Sequence, residues 1–511
     1  MMVSIFITLL ALLGITDSVY LAYEHIIHAI PPCSSGLLVD CGQVLTSKYA
    51  IFLGIPLGIW GVTYYALVFA ATVVSFFMLR RYSRWITLIA TTGGFLFSLY
   101  LVFLQVFVIH AICLYCLGSA LITTLLFLLS QTEFSLERKQ LLVSSSKFLY
   151  KNIIKKLFFQ IDPEKVHEVM LSSGEILGNC LPARTLAAYA FRQTNSSLTQ
   201  TIDNITFPTP IGLAAGFDYE AKLMKILPEL NFGFETIGTI TNHPYEGNKR
   251  PRLGRLPLSR SLMVNKGFKN EGVKAIISKM SDRNFTIPIG ISVGRTNKAK
   301  LKTQKQSIQD IIATFEKLEE APLTHAYYEL NISCPNLIGD ITFYPPQNLK
   351  ELLTAVETMK LSRPIFVKMP IEKSDKVTLK MLEIIAQFSI NGVIFGNLQK
   401  DRNHPSLNPT EVSQFQTGYF SGKPTWERSN QLISLCYKYY HDKLTIIGCG
   451  GVFSPEDAYL KFKHGASLVQ LITGMIYEGP QLISDITLTL PVLLKKDGFT
   501  HISQAVGSTS R

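Results

Sequence analysis

The chain has 511 residues, 49 basic and 37 acidic side chains, a formal net charge of +12 and 47% hydrophobic residues. That length excludes a single ordinary domain. Up to residue 130 only Lys48, Arg80, Arg81 and Arg84 stand against Asp17, Glu24 and Asp40, which excludes a water-facing N-terminal domain and leaves nearly all the charge to a soluble-type remainder.

Four apolar runs fill the charge-poor segment, at 3–23, 59–79, 85–109 and 112–130. Each is near the ~20 residues that cross a hydrocarbon core. Asp17 interrupts the first, and no small-residue cleavage site follows it cleanly, so it reads as a span rather than a signal peptide. Arg80, Arg81 and Arg84 lie between the second and third runs, and ERKQ (137–140) follows the fourth. By the positive-inside rule both segments face the cytoplasm, and the 24–58 loop faces outward. The expectation is a multi-pass protein of the cell (inner) membrane with its C-terminal domain in the cytoplasm. Of the eight cysteines, Cys33, Cys41, Cys113 and Cys116 then lie at the outer side, where disulfides persist. Cys180, Cys334, Cys436 and Cys449 lie in the reducing compartment.

CLYC (Cys113 and Cys116) opens the fourth run, where a helix N-terminus favours a thiolate. Cys33 and Cys41 bracket SSGLLVD in the outer loop. A mobile loop dithiol beside a fixed one can relay electrons by disulfide exchange to a lipid-soluble oxidant such as membrane quinone. Two structural disulfides or a four-thiolate zinc site are the alternatives. CGQVLTSKYAIFLGIPLGIWG and ICLYCLGSA resemble the vitamin K epoxide reductase family in its bacterial form. The resemblance implies that Cys113 and Cys116 face the quinone and that Cys33 and Cys41 take electrons from a separate thioredoxin-like thiol oxidase on the outer side. Ser47 matches that family's loop serine.

Residues 133–200 are expected to be a linker and a helical extension. SSS (144–146) reads as a short flexible joint. FLYKNIIKKLFFQI carries apolar residues at helical spacing opposite Lys151, Lys155 and Lys156, which suits a helix on the bilayer surface.

From about 205 short apolar runs alternate with helical stretches: PIGLAAG, FETIGTIT, PIGISVG, YYELNIS, PIFVKMP, GVIFGNL, LTIIGCGG and LVQLITG. Eight such runs predict a (β/α)8 barrel, with its site at the C-terminal strand ends. The fold class is thus an all-α four-helix membrane bundle (1–132) followed by an α/β TIM barrel (201–495) and a short tail (496–511). IIGCGG and LITG are Gly-rich turns after the seventh and eighth strands, where this fold binds phosphate. A phosphate-tailed cofactor such as FMN is implied. Lys368 ends a strand at the barrel mouth, and Asn331, Asn336 and Asn397 suit a planar ligand with C=O and N–H edges.

IDPEKVHEVM, GLAAGFD, GFETIGTIT, EGNKRPRLGRL, ELNISCPN, IIGCGGVFSPEDA and GASLVQLITGMIYEGP together resemble dihydroorotate dehydrogenase over roughly 155–490, in its membrane-associated, quinone-using class. The resemblance implies an FMN site at Ala214, Ala215, Thr239, Ser292, Asn331, Lys368, Gly422, Gly450, Gly451, Thr473 and Gly474. Dihydroorotate would meet Asn265, Lys266, Gly267, Phe268, Asn331, Asn336 and Asn397, and the helical extension would supply a tunnel for ubiquinone or menaquinone. Four departures stand out. Tyr219 replaces the lysine that follows GFD, Ser292 replaces an asparagine, VNKGFKN (264–270) replaces NRMGFNN, and Cys334 stands where the quinone class has serine. A thiol of pKa near 8.5 is a sound base for the C5 proton of dihydroorotate. An FMN-dependent tRNA dihydrouridine synthase would also use a cysteine on an FMN barrel and would welcome the basic charge. Asn336 and EGNKRPRLGRL favour the dehydrogenase, so no nucleic-acid partner is expected. A degenerate FMN barrel scaffolding a thiol oxidase is the third reading.

Overall fold

Apolar character decides the first part of the chain. Four helices are long and apolar enough to cross a membrane, with spans at Val3–Ile26, Leu57–Phe76, Tyr82–Ile109 and Leu114–Thr132. They belong to helices α1 (Met2–Ile26), α2 (Leu57–Phe77), α3 (Arg80–Phe103) and α4 (Leu114–Glu133), with α3 running on through a π turn at Leu104–Ile109. The computed structural model describes residues 2–27, 29, 32–33, 39–77, 80–281, 283–339 and 341–510. It divides into two compact units, Met1–Leu141 and Leu142–Arg511. The bundle core is small, built on Ile7, Ala11, Tyr65, Val68, Ile122 and Leu126. Tyr65 spends its hydroxyl inside it, within 2.8 Å of Ser119 Oγ and 2.9 Å of Thr123 Oγ1. Large side chains such as Phe6, Leu9, Leu13 and Ile89 point outward, as a lipid-facing bundle requires.

Residues 144–146 are not a flexible joint. They lie inside α5 (Ser135–Leu149), which continues as a π turn at Tyr150–Ile154 and a short helix at Lys155–Phe158. Serine costs only a few tenths of a kcal/mol in a helix interior. Here tertiary ties outweigh that cost: Lys147 pairs with Asp485 at 2.7 Å, and Tyr150 Oη donates to the Ile476 carbonyl at 2.7 Å. The DPEKVH motif begins α6 (Pro163–Asn179). Asp162 caps it by accepting from the N–H groups of Glu164 and Lys165 at 3.0 Å, and Pro163 takes the first helical position. Helix α7 (Leu181–Phe191) follows, and it exposes Leu181, Leu186 and Tyr189, while α6 exposes Val169, Ile176 and Leu177.

The eight runs read from the sequence become eight parallel strands. They are β1 (Ile211–Leu213), β2 (Phe234–Ile240), β3 (Ile289–Val293), β4 (Tyr327–Asn331), β5 (Ile365–Met369), β6 (Gly392–Phe395), β7 (Thr445–Cys449) and β8 (Leu468–Leu471). Each pairs with its neighbours in sequence, and β8 pairs with β1 to close the barrel. Bulky residues plug the N-terminal end: Phe207, Phe234, Tyr327, Phe366, Ile394, Ile447 and Leu468. The plug closes that end, so a ligand site opens at the opposite end. Of the tail, residues 496–510 fold back on the barrel, with Ile502 and Ala505 buried and Gly507 N donating to the Phe462 carbonyl at 2.9 Å.

Candidate functional site

Inside the barrel a continuous polar chain leads from the core to the mouth. Lys368 on β5 lies 3.6 Å from Glu329 Oε1 on β4, and Ser292 Oγ on β3 donates to that same oxygen at 2.7 Å. Ser292 Oγ is also 2.9 Å from Thr239 Oγ1, which accepts from Asn331 Nδ2 at 2.9 Å. All five are buried. Asn331, Thr239 and Lys368 reach the cavity wall, whereas Ser292 does not. Its hydroxyl is instead held between Thr239 Oγ1 and Glu329 Oε1, so it braces the residue that reaches the wall.

A cavity of about 270 Å³ opens at the strand ends. It is lined by Ala214, Ala215, Thr239, Asn331, Lys368, Gly422, Gly450, Gly451, Thr473 and Gly474 from the expected cofactor set. Lys266, Gly267, Phe268, Asn336 and Asn397 come from the expected substrate set, with Cys334 beside them. Asn265 of the expected set is engaged with its neighbours, accepting from Asn248 Nδ2 at 2.9 Å and donating to Thr417 Oγ1 at 3.3 Å. The same cavity takes in Tyr150, Phe158, Val166, His167 and Met170 from the helical extension. The glycines after β7 explain why the cradle needs no side chain. Gly450 and Gly451 have φ of +100° and +72°, and a Cβ on Gly451 would lie 2.4 Å from Trp426 Cβ. Such a turn brings backbone N–H groups to a ligand, and with Lys368, Asn331, Thr239 and Asn397 it fits a phosphate-tailed flavin.

Cys334 lies in the loop after β4, and neighbours fix that loop residue by residue. Ser333 Oγ donates to Asn331 Oδ1 at 3.1 Å and accepts from Asn397 Nδ2 at 2.5 Å. Asn336 Nδ2 donates to the Val264 carbonyl at 3.0 Å, and the Asn336 carbonyl accepts from Asn248 Nδ2 at 2.9 Å. Asn248, in EGNKRPRLGRL, is thus a hub, for it also meets Asn265, Tyr245 and Asn297. The expectation of a thiol of ordinary acidity is corrected. Burial pushes Cys334 up to about 11, against the pull of the Asn336 N–H, Arg295, Lys368 and Lys400.

A second cluster, not singled out in the sequence beyond its parts, sits where the extension meets the barrel. Lys266 Nζ lies 3.0 Å from His167 Nδ1 and 4.5 Å from the Tyr219 ring centre. His167 Nε2 is 2.9 Å from the Phe217 carbonyl, so that nitrogen carries the proton and Nδ1 accepts from Lys266. Burial, then the neighbouring Lys269 charge, brings the Lys266 ammonium down to about 7, opposed by Glu164, Glu168 and Glu220. Burial and Lys266 likewise hold His167 well below the usual range. Lys266 thus reaches over the ring of Tyr219, the residue that follows GFD. The clue in the sequence was the paired departure, an aromatic at 219 and a new lysine in the 264–270 loop.

In the first unit Cys33 and Cys41 form a disulfide. The Cys113 sulfur lies with theirs in one group whose members are all within 4.8 Å of one another. Cys113 is fully buried, its N–H donates to Gln105 Oε1 at 2.9 Å, and its sulfur accepts from the Cys116 N–H at 3.5 Å as the cap of α4. Cys116 and Ser47 line a separate cavity of about 460 Å³ between the helices. Residues 34–38 of the loop expected to be mobile lie outside the described residues.

Fold and site define the class: a (β/α)8-barrel oxidoreductase carrying a helical extension and an N-terminal membrane bundle. The profile of the Dihydroorotate dehydrogenase family matches residues 197–494, and that of the Vitamin K epoxide reductase family matches residues 5–131. Dihydroorotate dehydrogenase (quinone) of Rippkaea orientalis is 37% identical over 329 residues, covering 62% of this chain and 85% of that protein. The protein of the same name from Gloeobacter violaceus is 33% identical over 356 residues, covering 70% and 98%. Among solved structures, ligand-free DHODH from Eimeria tenella superposes with a TM-score of 0.59 at 25% identity, covering 68% of this chain and 100% of that one. The chain belongs to the dihydroorotate dehydrogenase family, with a vitamin K epoxide reductase family segment ahead of the barrel.

Proposed function

We propose that the barrel oxidises dihydroorotate to orotate with FMN and passes the electrons to membrane quinone. The supporting observation is the single cavity that joins barrel-mouth residues (Thr239, Asn331, Cys334, Lys368, Asn397) to residues of the helical extension (Tyr150, Phe158, Val166, His167, Met170). One end is polar and suits dihydroorotate, and the other is apolar and suits a quinone. Bound FMN supplies the acceptor for the hydride leaving C6. The chain does the rest. Asn331, Asn336 and Asn397 hold the amide edges and carboxylate of the substrate, and the fixed loop holds Cys334 where its sulfur takes the C5 proton. Lys368 offers a buried positive charge to an anionic ligand. Exposed apolar side chains on α6 and α7 suit the bilayer that holds the quinone. The test is spectroscopic: dihydroorotate must bleach the flavin of the purified protein, and a quinone must restore its colour. A flavin that stays oxidised on adding dihydroorotate rejects the proposal.

A second activity is favoured by the sulfur cluster. We infer that the bundle passes electrons from extracytoplasmic dithiols, delivered by a thioredoxin-like partner, to quinone. The pair at 33 and 41 gives two electrons to the pair at 113 and 116 and becomes a disulfide. Cys113 and Cys116 then re-form theirs as quinone takes two electrons and two protons to become quinol. The grouping of the Cys33, Cys41 and Cys113 sulfurs within 4.8 Å of one another supports exchange between the two pairs. The cationic segments between the second and third spans and after the fourth support a reading with this chemistry outside and the barrel in the cytoplasm. The fusion would keep the dehydrogenase beside its acceptor pool. Trapping a mixed disulfide between Cys33 or Cys41 and Cys113 in a Cys116→Ala protein tests the relay, and no such species under oxidant removes it.

A further inference from the structure

Where the helical extension meets the barrel, a separate cavity of about 370 Å³ opens, and its wall includes Lys151, Lys155, Phe159, Arg260, Tyr477 and Glu478. Three cationic side chains less one carboxylate leave it at +2. Glu478 is spent twice over: Lys151 Nζ lies 2.5 Å from its Oε2, and Arg260 Nη2 lies 2.5 Å from its Oε1. Lys155 has no ion-paired carboxylate among the described residues, whereas Lys147 and Arg184 of the same extension have Asp485 and Glu229 at 2.7 and 2.8 Å. The walls are fixed. Arg260 lies 4.4 Å from the Phe453 ring centre, Phe159 meets Tyr477 edge-on at 5.4 Å, and Tyr477 Oη donates to the Ser261 carbonyl at 2.7 Å. Burial, opposed by Glu478 and reinforced by Lys151 and Arg260, holds the Lys155 ammonium below its ordinary value. An anion in the cavity would relieve it.

The segments that carry these cations also turn large apolar side chains outward. Ile153 and Leu157, two residues beyond Lys151 and Lys155, are 50% and 57% exposed, and Leu258, two residues before Arg260, is 76% exposed. A free phosphate would leave them in water. A phosphate that carries acyl chains covers them, and a chain with four membrane spans lives among such molecules. Arg255 links this place to the barrel-mouth cavity: it lines that cavity, and its guanidinium lies 4.8 Å from the Phe159 ring centre.

We propose that Lys151, Lys155 and Arg260 bind the phosphodiester of an anionic phospholipid whose acyl chains lie against Ile153, Leu157 and Leu258. The proposal rests on the reading of the extension as a bilayer-facing segment and adds a headgroup preference to it. A lipid bound there holds the apolar end of the barrel-mouth cavity at the bilayer.

The test reads lipid contact and does not depend on turnover. Full-length holoprotein in phosphatidylcholine nanodiscs receives a trace of phosphatidylglycerol or phosphatidylcholine bearing a diazirine in an acyl chain. After irradiation, peptide mass spectrometry compares labelling of 148–161 with that of the span at 85–109. Relative to the span, 148–161 should favour the phosphatidylglycerol probe. Lys155→Gln should cut that preference roughly fivefold, the usual worth of one basic side chain near anionic lipid. Lys156→Gln removes the same charge from the adjoining residue, which does not line the cavity, and should change the preference by less than about twofold. Equal labelling by the two probes, or an equal fall in the two variants, overturns the proposal while the bilayer-facing reading stands. Inorganic phosphate, compared with chloride at the same ionic strength, should leave the preference intact. Its loss there would assign the cavity to free phosphate and overturn the lipid. Labelling of the span without labelling of 148–161 by either probe would remove the bilayer-facing reading and the proposal with it. If Lys155→Gln loses its flavin absorbance, Lys151→Gln decides, and an unchanged preference there overturns the proposal.

Discussion

Two cysteine sites in this chain differ in what surrounds the sulfur. Cys113 has two other sulfurs within 4.8 Å and caps a membrane helix. Cys334 is free and sits in a loop clamped by amides, within the field of Arg295, Lys368 and Lys400. On the functions proposed above, a sulfur among sulfurs exchanges electrons, and a sulfur among cations and amides exchanges a proton. Neighbours, not residue type, decide the chemistry.

The comparison breaks most sharply at Cys334. Cys334→Ala should lower flavin reduction by dihydroorotate by about 10²–10⁴-fold, the usual worth of a general base. FMN should stay bound, as read from visible absorbance, and Cys334→Ser should keep a little activity. Next, Asn248→Ala should release the Cys334 and 264–270 loops together. Misplacing a catalytic group by about 1 Å can cost on the order of 10²-fold; steady-state kinetics should show a rise in KM along with lost kcat. The reciprocal arm is Cys113→Ala. Dihydroorotate oxidation with a soluble quinone should stay within about twofold of the parent chain, while turnover of external dithiols stops. A parallel loss of both would mean that the two sulfur sites are coupled rather than merely joined.

Lys266 sharpens the same contrast through pH. Its folded-state value, about 7, lies below the ordinary 10.5. Between those two values the unfolded chain binds the extra proton, so this group makes the fold more stable as pH rises through that window. Below pH 7 the buried charge is a penalty. Lys266→Met should therefore raise the Tm of the flavin-loaded protein at pH 6, with the gain shrinking toward pH 10. The smallest effect belongs to Lys147→Ala. The Lys147–Asp485 pair is partly exposed, and its loss should cost under about 1 kcal/mol in urea titration of the barrel signal.

The strands and spans were legible because each is a predominantly apolar run, short for the strands and near ~20 residues for the spans, and closure of a parallel barrel leaves little freedom in the strand order. Most of the cavity wall was legible for the same reason, since strand ends converge in space whenever the barrel closes. What escaped the sequence depends on side chains reaching across from distant loops. Asn248 joins 265, 297 and 336, and the Lys266–His167–Tyr219 cluster brings together three segments. Ser292 and Asn265 point where neighbours of a particular size send them, which no single strand pattern encodes. The 144–146 serines misled because local propensity is weak and Asp485 and Ile476, more than 300 residues away, overrule it.

The 264–270 loop and the Cys334 loop are not free to vary separately. Gly267 has a φ of +66°, and a Cβ there would lie 2.4 Å from Asn248 Oδ1 and 2.7 Å from Asn297 Nδ2. Any side chain at 267 must displace the hub amides, and those amides hold Asn336 and Ile338. Drift in one loop is thus answerable to the other. A relative that has lost this glycine should carry smaller residues at 248 or 297 as well, so the three positions are inherited as a unit.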